Sequence, residues 1–387
     1  MPRRSKLQLS NSKNKSSGLY WVLTIALAIL LGWFWWKSGK PAQPKSTSGS
    51  KLTPSELSPV KRSNVSSVGI SNSALFSTAP TKLPSRPVTV ETNPIEPQLN
   101  TFPRPVQNAF EGQLALAQQA ISPGSIDGVM GFQTEAALMT FQHRTKLPAT
   151  GQLDQTTRTN LLLIAPQYTN YTITSDDLGR LQPVASTWLG KSQQTALDYE
   201  NILELVAERG FASPTFIRRL NPNIDWTNLV AGTSVKIPNA FYPEVHTKAA
   251  FVKIHLTGKT LEAFDANDNL LAHFPCSIAR RVEKRPVGEL HVAVVAPNPN
   301  YTFDPDVFPE SAEAQKLGRK LILPPGPNNP VGVAWIGLDK PGYGIHGTPK
   351  PEEVGRTESH GCFRLANWNA EYLLRLITVG TTVYVVE

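Results

Sequence analysis

Residues 342–364, GYGIHGTPKPEEVGRTESHGCFR, hold the densest group of chemically active side chains in this sequence. Two histidines, His346 and His360, lie close to Cys362, one of only two cysteines in the chain. A cysteine nucleophile needs a base or a cation nearby to form thiolate at neutral pH. The glycine after each histidine lets the backbone approach a substrate without side-chain obstruction. The segment therefore predicts thiol chemistry, with Cys362 as the nucleophile.

The polar residues around this cysteine are further candidates for the same site. Arg364 follows Cys362 by two residues, and in a β-strand that spacing returns both side chains to one face. A zinc site built from His346, His360 and Cys362 is disfavoured, because one residue separates the last two and no fourth ligand is evident. We therefore predict neither a metal nor a cofactor.

The region around the motif, residues 249–387, is rich in predicted strands. Apolar and polar residues alternate from Val252 to Leu256, and similar runs recur as far as Val386. One late helix is predicted before Gly380, with Asn367 or Asn369 preceding it. Many strands with a single helix predict a mainly-β domain, either a sandwich or a barrel with helical decoration.

The second cysteine, Cys276, lies in the apolar run HFPCSI and is predicted to belong to the core. A disulfide between Cys276 and Cys362 is the less favoured alternative. Such a bond is permitted outside the cytoplasm, but it would silence the nucleophile.

The order His346-Gly347-Thr348, then Ser359-His360-Gly361-Cys362-Phe363-Arg364, resembles the YkuD family of L,D-transpeptidases. The preceding LPPGPNNPVGVAWIGL and the following LANWNAEYLLRLITVGTTVYV also resemble that family, so the likeness covers residues 249–387. It implies a cysteine-dependent acyltransferase of the bacterial cell wall, with a role in peptidoglycan biosynthesis and cell shape.

The resemblance also implies a mechanism and roles for the residues. Cys362 attacks a peptidoglycan tetrapeptide, D-Ala leaves, and an acceptor amine resolves the thioester into an L,D crosslink or an attached protein. His346 is the base, oriented through Gly347, and backbone N–H groups near Gly361 form the oxyanion hole. Substrate-binding roles are implied for Thr348, Ser359, His360, Gly361 and Arg364, with packing as the alternative for His360 and ordering of the loop as the alternative for Arg364.

Two alternatives to crosslinking stay open on the sequence alone. Water could resolve the same thioester, which would make the protein an L,D-carboxypeptidase or a crosslink-cleaving hydrolase. A catalytically silent scaffold that binds peptidoglycan is the other alternative, although the intact Cys362 and His346 argue against it. The acceptor amine cannot be derived from the sequence, because it depends on the shape of the pocket.

Residues 109–165 predict a small module of three helices. Asp127-Gly128 forms a turn between the first two helices, and Asp154 is placed to cap the third. The order GxxDGVxGxxTxxALxxFQxxxxLPxTGxLDxxT resembles the peptidoglycan-binding type 1 domain. The resemblance implies a groove for glycan or stem peptide, and the alternative is a structural spacer.

Residues 168–240 predict a strand, a pair of helices and a second strand. Ser213-Pro214 starts a helix and Asn221-Pro222 ends it. The order resembles the LysM module, an α+β unit, but a long insertion separates the first strand from the helices. A divergent LysM-like segment that binds glycan and a purely structural linker domain are both left open.

The N-terminal region predicts a membrane anchor and a tether. Residues 18–36 contain no charged residue and have Tyr and Trp at both ends, which is typical of a single transmembrane helix. A cleaved signal peptide is the alternative. Residues 1–17 form a predicted cytoplasmic basic tail, and residues 37–108 a disordered linker rich in Pro, Ser and Thr. The catalytic body is then expected in the periplasm or cell wall space, held to the cytoplasmic (inner) membrane.

The net charge of +8 is divided unevenly along the chain. Residues 1–108 carry 14 Lys and Arg against 3 Asp and Glu, a net of +11, whereas the remainder carries 24 against 27, a net of −3. The folded part is thus slightly acidic, which counts against a nucleic-acid partner. The predicted partners are peptidoglycan stem peptides and glycan, and the membrane through the N-terminal helix.

Overall fold

The computed structural model describes residues 101–308, 311–357, 359 and 361–387. The predicted basic tail, the transmembrane helix at 18–36, most of the linker, and His360 lie outside the described residues. Within the described part, the helices are too short or too polar to cross a membrane.

The first module contains, between residues 101 and 165, the three predicted helices. They are α1 (Ala109–Ala117), α2 (Phe132–Arg144) and α3 (Gln155–Asn160). Asp154 caps α3, as predicted, by accepting the Thr157 N–H at 2.8 Å. Two short strands, β1 (Arg104–Pro105) and β2 (Leu162–Leu163), pair antiparallel, and Val106 is buried. The folded module therefore begins before residue 109, within the last residues of the predicted linker.

The middle segment begins with strand β3 (Tyr168–Thr172) and ends with strand β4 (Ser234–Pro238), and the two strands pair antiparallel. Between them the described chain forms four helices: α4 (Ser175–Gly179), α5 (Trp188–Ser192), α6 (Ile202–Arg209) and α7 (Pro214–Leu220). Ser213 caps α7 with Pro214 as its first residue, and Asn221 ends it, as the sequence predicts. The insertion supplies α4 and α5, which the sequence did not predict.

The C-terminal domain is mainly β, as predicted. Its described strands are β5 (Phe251–His255), β6 (Thr260–Phe264), β7 (Leu270–Pro275), β8 (Gly288–Pro297), β9 (Tyr301–Phe303), β10 (Leu321–Leu323), β11 (Ala334–Leu338), β12 (Gly344–His346), β13 (Phe363–Arg364) and β14 (Thr382–Val386). Eight of these described strands form one sheet in the order β13-β12-β11-β8-β14-β5-β6-β7. The other two, β9 and β10, pair with each other.

The two edges of this sheet come together. Ser277, just after β7, forms an antiparallel bridge with Arg364 of β13, and Ala279 bridges Ser359. Of the two architectures predicted from the sequence, this closure favours the barrel over the sandwich. It also brings the chain after β7 to the strand that follows the nucleophile.

Two helices accompany these strands in the described residues, α8 (Ala312–Leu317) and α9 (Asn367–Leu376). The expectation that an asparagine precedes α9 was wrong. Ala366 occupies the N-cap position, and Asn367 is the first residue of the helix. The physical reason is that the Asn367 side chain is fully buried and hydrogen-bonds to residues from other parts of the fold. The helix ends at Leu376, before Gly380.

Candidate active site

The site is built on the parallel pairing of β12 with β13. Ile345 is opposite Phe363 and His346 is opposite Arg364 in this register. Ile345 and Phe363 are fully buried in the core, so strand alternation turns His346 and Arg364 toward the other face. Cys362 lies in the bend directly before β13, and its Sγ is near the chain that enters β12, 3.6 Å from the Gly342 carbonyl oxygen. The pairing therefore brings His346 and Arg364 to one side of the sheet and Cys362 to the end of these two strands.

His346 is held as a neutral imidazole. Its Nδ1 lies 2.6 Å from the Gly347 carbonyl oxygen, and because a carbonyl only accepts, Nδ1 must carry the proton. The other ring nitrogen, Nε2, is then the one that can receive a proton. Burial lowers the pKa of His346 to about 4, the Gly347 carbonyl opposes this shift, and the positive charge of Arg364 adds to it. The imidazole is therefore uncharged at neutral pH.

Cys362 is partly exposed, and its Sγ lies 3.6 Å from the carbonyl oxygen of Gly342. Burial raises the pKa of this thiol, while a backbone hydrogen bond with Gly344 opposes the shift. Burial therefore favours the protonated thiol, which would need a base to act as the predicted nucleophile. Cys276 is fully buried, which confirms the core prediction, and burial raises the pKa of its thiol strongly. Both cysteines are free, not joined in a disulfide.

Gly347 and Thr348 continue the chain from β12 into the interior. A Cβ atom on Gly347 would lie 2.3 Å from Asn367 Oδ1 and 3.3 Å from the Gly332 Cα, so no larger residue fits without movement. The Thr348 hydroxyl is buried and accepts the Lys350 N–H at 3.3 Å. Both residues therefore order the start of the loop that leads from the histidine to the cysteine.

The residues that flank the nucleophile hold the other end of this loop. Ser359 Oγ donates to the Cys362 carbonyl oxygen at 2.5 Å and accepts the Gly361 N–H at 3.3 Å. Arg364 donates to both the carbonyl oxygen and the hydroxyl of Thr357, at 2.9 and 2.8 Å. These contacts tie Ser359, Gly361 and Arg364 to the loop. Their predicted contacts with substrate stay predictions, as does the role of His360.

Three aromatic residues at the site were missed by the sequence reasoning. The Trp335 ring stacks on His346 with centroids 5.8 Å apart, because β11 pairs these residues across the sheet. Burial raises the pKa of Tyr301 to about 12, and the nearby Cys362 and Asp304 add to this shift. A Cβ on Gly361 would meet Tyr343 at 3.8 Å. Trp335 and Tyr343 lie in stretches that the sequence analysis quoted, but only the pairing of β11 with β12 shows that Trp335 contacts His346.

Comparison with known proteins gives two family matches. Residues 249–385 match the family model of the YkuD-type L,D-transpeptidase catalytic domain. Residues 107–161 match the model described as "Putative peptidoglycan binding domain". The LysM-like resemblance of residues 168–240 stays a prediction.

Individual relatives are similar to part of the chain. A Bacillus licheniformis protein named "Putative L,D-transpeptidase YkuD" is 26% identical over 181 residues, which cover 47% of this chain and 91% of that one. The Bacillus subtilis protein YqjB, with the same functional name, is 37% identical over 107 residues, covering 26% of this chain and 52% of its own length. A solved L,D-transpeptidase from Mycobacterium smegmatis aligns at 17% identity with a TM-score of 0.29, covering 43% of this chain and 80% of that one.

Proposed function

The chain contains a YkuD-type L,D-transpeptidase catalytic domain and a peptidoglycan-binding module, and from this premise we propose that it crosslinks peptidoglycan stem peptides through a thioester on Cys362. The observation that carries the proposal is the pairing of β12 with β13. It supports the proposal because Cys362 directly precedes the strand that pairs with β12, which ends in a neutral His346 whose Nδ1 donates to Gly347.

The first half of the reaction forms the acyl-enzyme. Sγ of Cys362 attacks the carbonyl carbon at the L-centre of the diamino acid in a tetrapeptide stem, and His346 Nε2 takes the thiol proton. The tetrahedral intermediate then expels D-Ala as the C–N bond breaks, and His346 returns the proton to the leaving amine. The uncharged imidazole suits this role, because a protonated ring could not receive the thiol proton.

The second half transfers the acyl group. An amine from a second stem, or from a protein to be attached, attacks the thioester carbonyl, and His346 accepts the amine proton. The C–S bond breaks, and the sulfur recovers its proton from His346. The product is an L,D crosslink or an attached protein. Water in place of the amine would give hydrolysis through the same intermediate.

The surrounding groups are assigned to charge stabilisation and substrate binding. We assign the oxyanion to backbone N–H groups at Gly361 and Cys362, where the substrate oxygen would compete with Ser359 Oγ for the Gly361 N–H. The positive charge of Arg364, two residues after the proposed nucleophile, would attract a substrate carboxylate. Thr348, Ser359 and His360 complete the proposed substrate-binding set.

The proposed location follows from the uncharged stretch at residues 18–36 and the basic residues before it. A single-pass anchor with a cytoplasmic N-terminus would leave the catalytic body in the periplasm or cell wall space. Protease added to intact spheroplasts should then digest the body, and full protection of the body would contradict this topology.

The decisive experiment incubates the full-length protein with disaccharide-tetrapeptide muropeptides and identifies products by mass spectrometry. We expect L,D-linked dimers together with released D-Ala. Cys362→Ala should abolish both products, whereas Cys276→Ala, which alters the buried cysteine, should retain them. Dimers that persist in Cys362→Ala would refute the assignment. Tripeptide without dimer, even at high acceptor concentration, would replace crosslinking by hydrolysis.

A further inference from the structure

A carboxylate from the middle segment reaches the catalytic domain behind the proposed base. Glu208, on α6, lies outside the part of the chain that matches the catalytic family. Its Oε2 accepts a hydrogen bond from Asn367 Nδ2 at 3.1 Å, and its Oε1 accepts one from the Tyr199 hydroxyl at 3.1 Å. The two partners hold both carboxylate oxygens in place.

The Asn367 amide can adopt only one orientation in these surroundings. Its Nδ2 donates to Glu208 and to the Pro327 carbonyl oxygen at 3.2 Å, and both of these groups accept hydrogen bonds. Its Oδ1 accepts the Val333 N–H at 3.4 Å. A flipped amide would place oxygen against two acceptors and nitrogen against a donor. Glu208 therefore helps to determine which way Asn367 Oδ1 points.

Asn367 Oδ1 in turn packs against the residue that orients His346. A Cβ on Gly347 would lie 2.3 Å from this oxygen, and one on Gly332 would lie 2.0 Å from it. Gly347 also donates its N–H to Ala334 at 3.2 Å and accepts the His346 Nδ1–H at 2.6 Å. The position of the Gly347 carbonyl, and hence the orientation of the imidazole, depends on where Asn367 Oδ1 lies.

We propose that Glu208 is a positioning residue for His346, acting through Asn367 and Gly347, so that the middle segment completes the active site of the catalytic domain. The role rests on the proposed transpeptidase function, since it concerns the base of that reaction. It gives the middle segment a function in catalysis that does not require it to bind glycan.

Glu208 is a buried acidic group whose charged form is disfavoured by its surroundings. Burial raises the pKa of Glu208 to about 7, the hydrogen bonds from Asn367 and Tyr199 oppose the shift, and the negative charges of Glu204 and Glu371 add to it. A buried carboxylate lowers the stability of the fold, so its presence at this position indicates a functional role. This supports the geometric argument.

The main test removes the carboxylate and keeps a matched control. Glu208→Ala in the full-length protein should lower kcat by about 10- to 100-fold through misplacement of the base, with KM nearly unchanged. Glu208→Gln should retain most activity, because its amide oxygen can accept from Asn367 and its nitrogen can donate to the Tyr199 oxygen. Glu204→Gln is the control, because Glu204 lies on the same helix but accepts from Asn328 instead.

A second readout does not depend on turnover. The ¹⁵N chemical shifts of the His346 ring report which nitrogen carries the proton. We expect a single Nδ1–H form in the unaltered protein and in Glu204→Gln, and a mixture of tautomers in Glu208→Ala. Because this signal needs no substrate, it tests the positioning role even if the muropeptide assay refutes transpeptidation.

A double variant separates positioning from general destabilisation. Asn367→Asp alone should lose activity, because two carboxylates would face each other. Adding Glu208→Gln restores a donor–acceptor pair and should recover part of the lost kcat. Unchanged kcat and unchanged His346 shifts in a folded Glu208→Ala would overturn the proposal. If Glu208→Ala does not fold, the proposal is overturned when the double variant Asn367→Asp/Glu208→Gln has no higher kcat than Asn367→Asp alone.

Discussion

The loop that follows β12 is contacted by both modules that precede the catalytic domain, but with different chemistry. The first module reaches the far part of the loop, where Gln133 Nε2 donates to the Val354 carbonyl oxygen at 2.7 Å. The middle segment reaches the start of the loop, where Glu208 acts on Gly347 through the fully buried Asn367.

The Gln133 and Glu208 contacts differ in their energy and in where they lie relative to His346. The Gln133 contact is a neutral hydrogen bond whose net contribution is about 1 kcal/mol. The Glu208 contact joins a carboxyl group to a buried amide, so its loss leaves polar groups unsatisfied in the interior. Only the second contact adjoins the residue that orients His346. Chemistry should therefore depend on the middle segment much more than on the first module.

The largest effect is expected from Gly347→Ala, which breaks the contact at the start of the loop. The added Cβ would lie 2.3 Å from Asn367 Oδ1 and 3.3 Å from backbone atoms of residues 332 and 333. We expect destabilisation of about 1–3 kcal/mol from overpacking and a loss of transpeptidation of at least about 100-fold.

Thermal unfolding and the muropeptide assay measure these two quantities. The matched control is Gly179→Ala at the end of α4, where an added Cβ would meet no atom within 4 Å. Full activity in Gly347→Ala would show that close packing at this glycine does not position the base.

An effect of intermediate size is expected in the pH dependence of kcat/KM. With the pKa of His346 near 4, the base stays neutral down to that pH, so kcat/KM should fall only as the pH drops through about 4. If Glu208→Ala loosens the buried imidazole and admits water, the pKa rises toward its usual range and the acid limb moves to higher pH. Gln133→Ala should leave this limb in place.

The pH profile of kcat/KM, measured for the three proteins in parallel, distinguishes the two contacts. Equal shifts of the acid limb in Glu208→Ala and Gln133→Ala would show that the two modules affect His346 to the same extent. An acid limb near pH 6.5 in the unaltered protein would show that His346 is more solvated than its surroundings indicate.

The smallest effect is expected from Gln133→Ala. Its hydrogen bond holds the loop near Gly355, away from the reacting groups, so activity on soluble muropeptides should change by less than about threefold. The exposed Arg356 that follows should be cleaved faster by trypsin in the native protein. Gln155→Ala, at an exposed glutamine of the same module, is the control. A loss of activity as large as that in Glu208→Ala would place the first module in the catalytic machinery.

Local signals account for the parts of the fold that were predicted correctly. The three helices of the first module, the caps at Asp154 and Ser213, and the mainly-β character of the C-terminal domain follow from periodicity and turn residues. The asparagine before α9 was predicted by the same kind of signal and was wrong. Asparagine is a residue type favoured at N-caps, but the Asn367 side chain makes tertiary contacts that no local pattern predicts.

By itself the sequence determined which residues are the candidates for the chemistry, because His346, Gly347, Cys362 and Arg364 appear in a recognisable order within one short segment. Only the tertiary structure decided how they meet. The parallel register of β12 and β13 sets His346 opposite Arg364, and closure of the sheet brings Ser277 to Arg364. The contact between Glu208 and Asn367 spans 159 residues of sequence. Such contacts depend on how distant elements pack, and packing is a property of the whole fold.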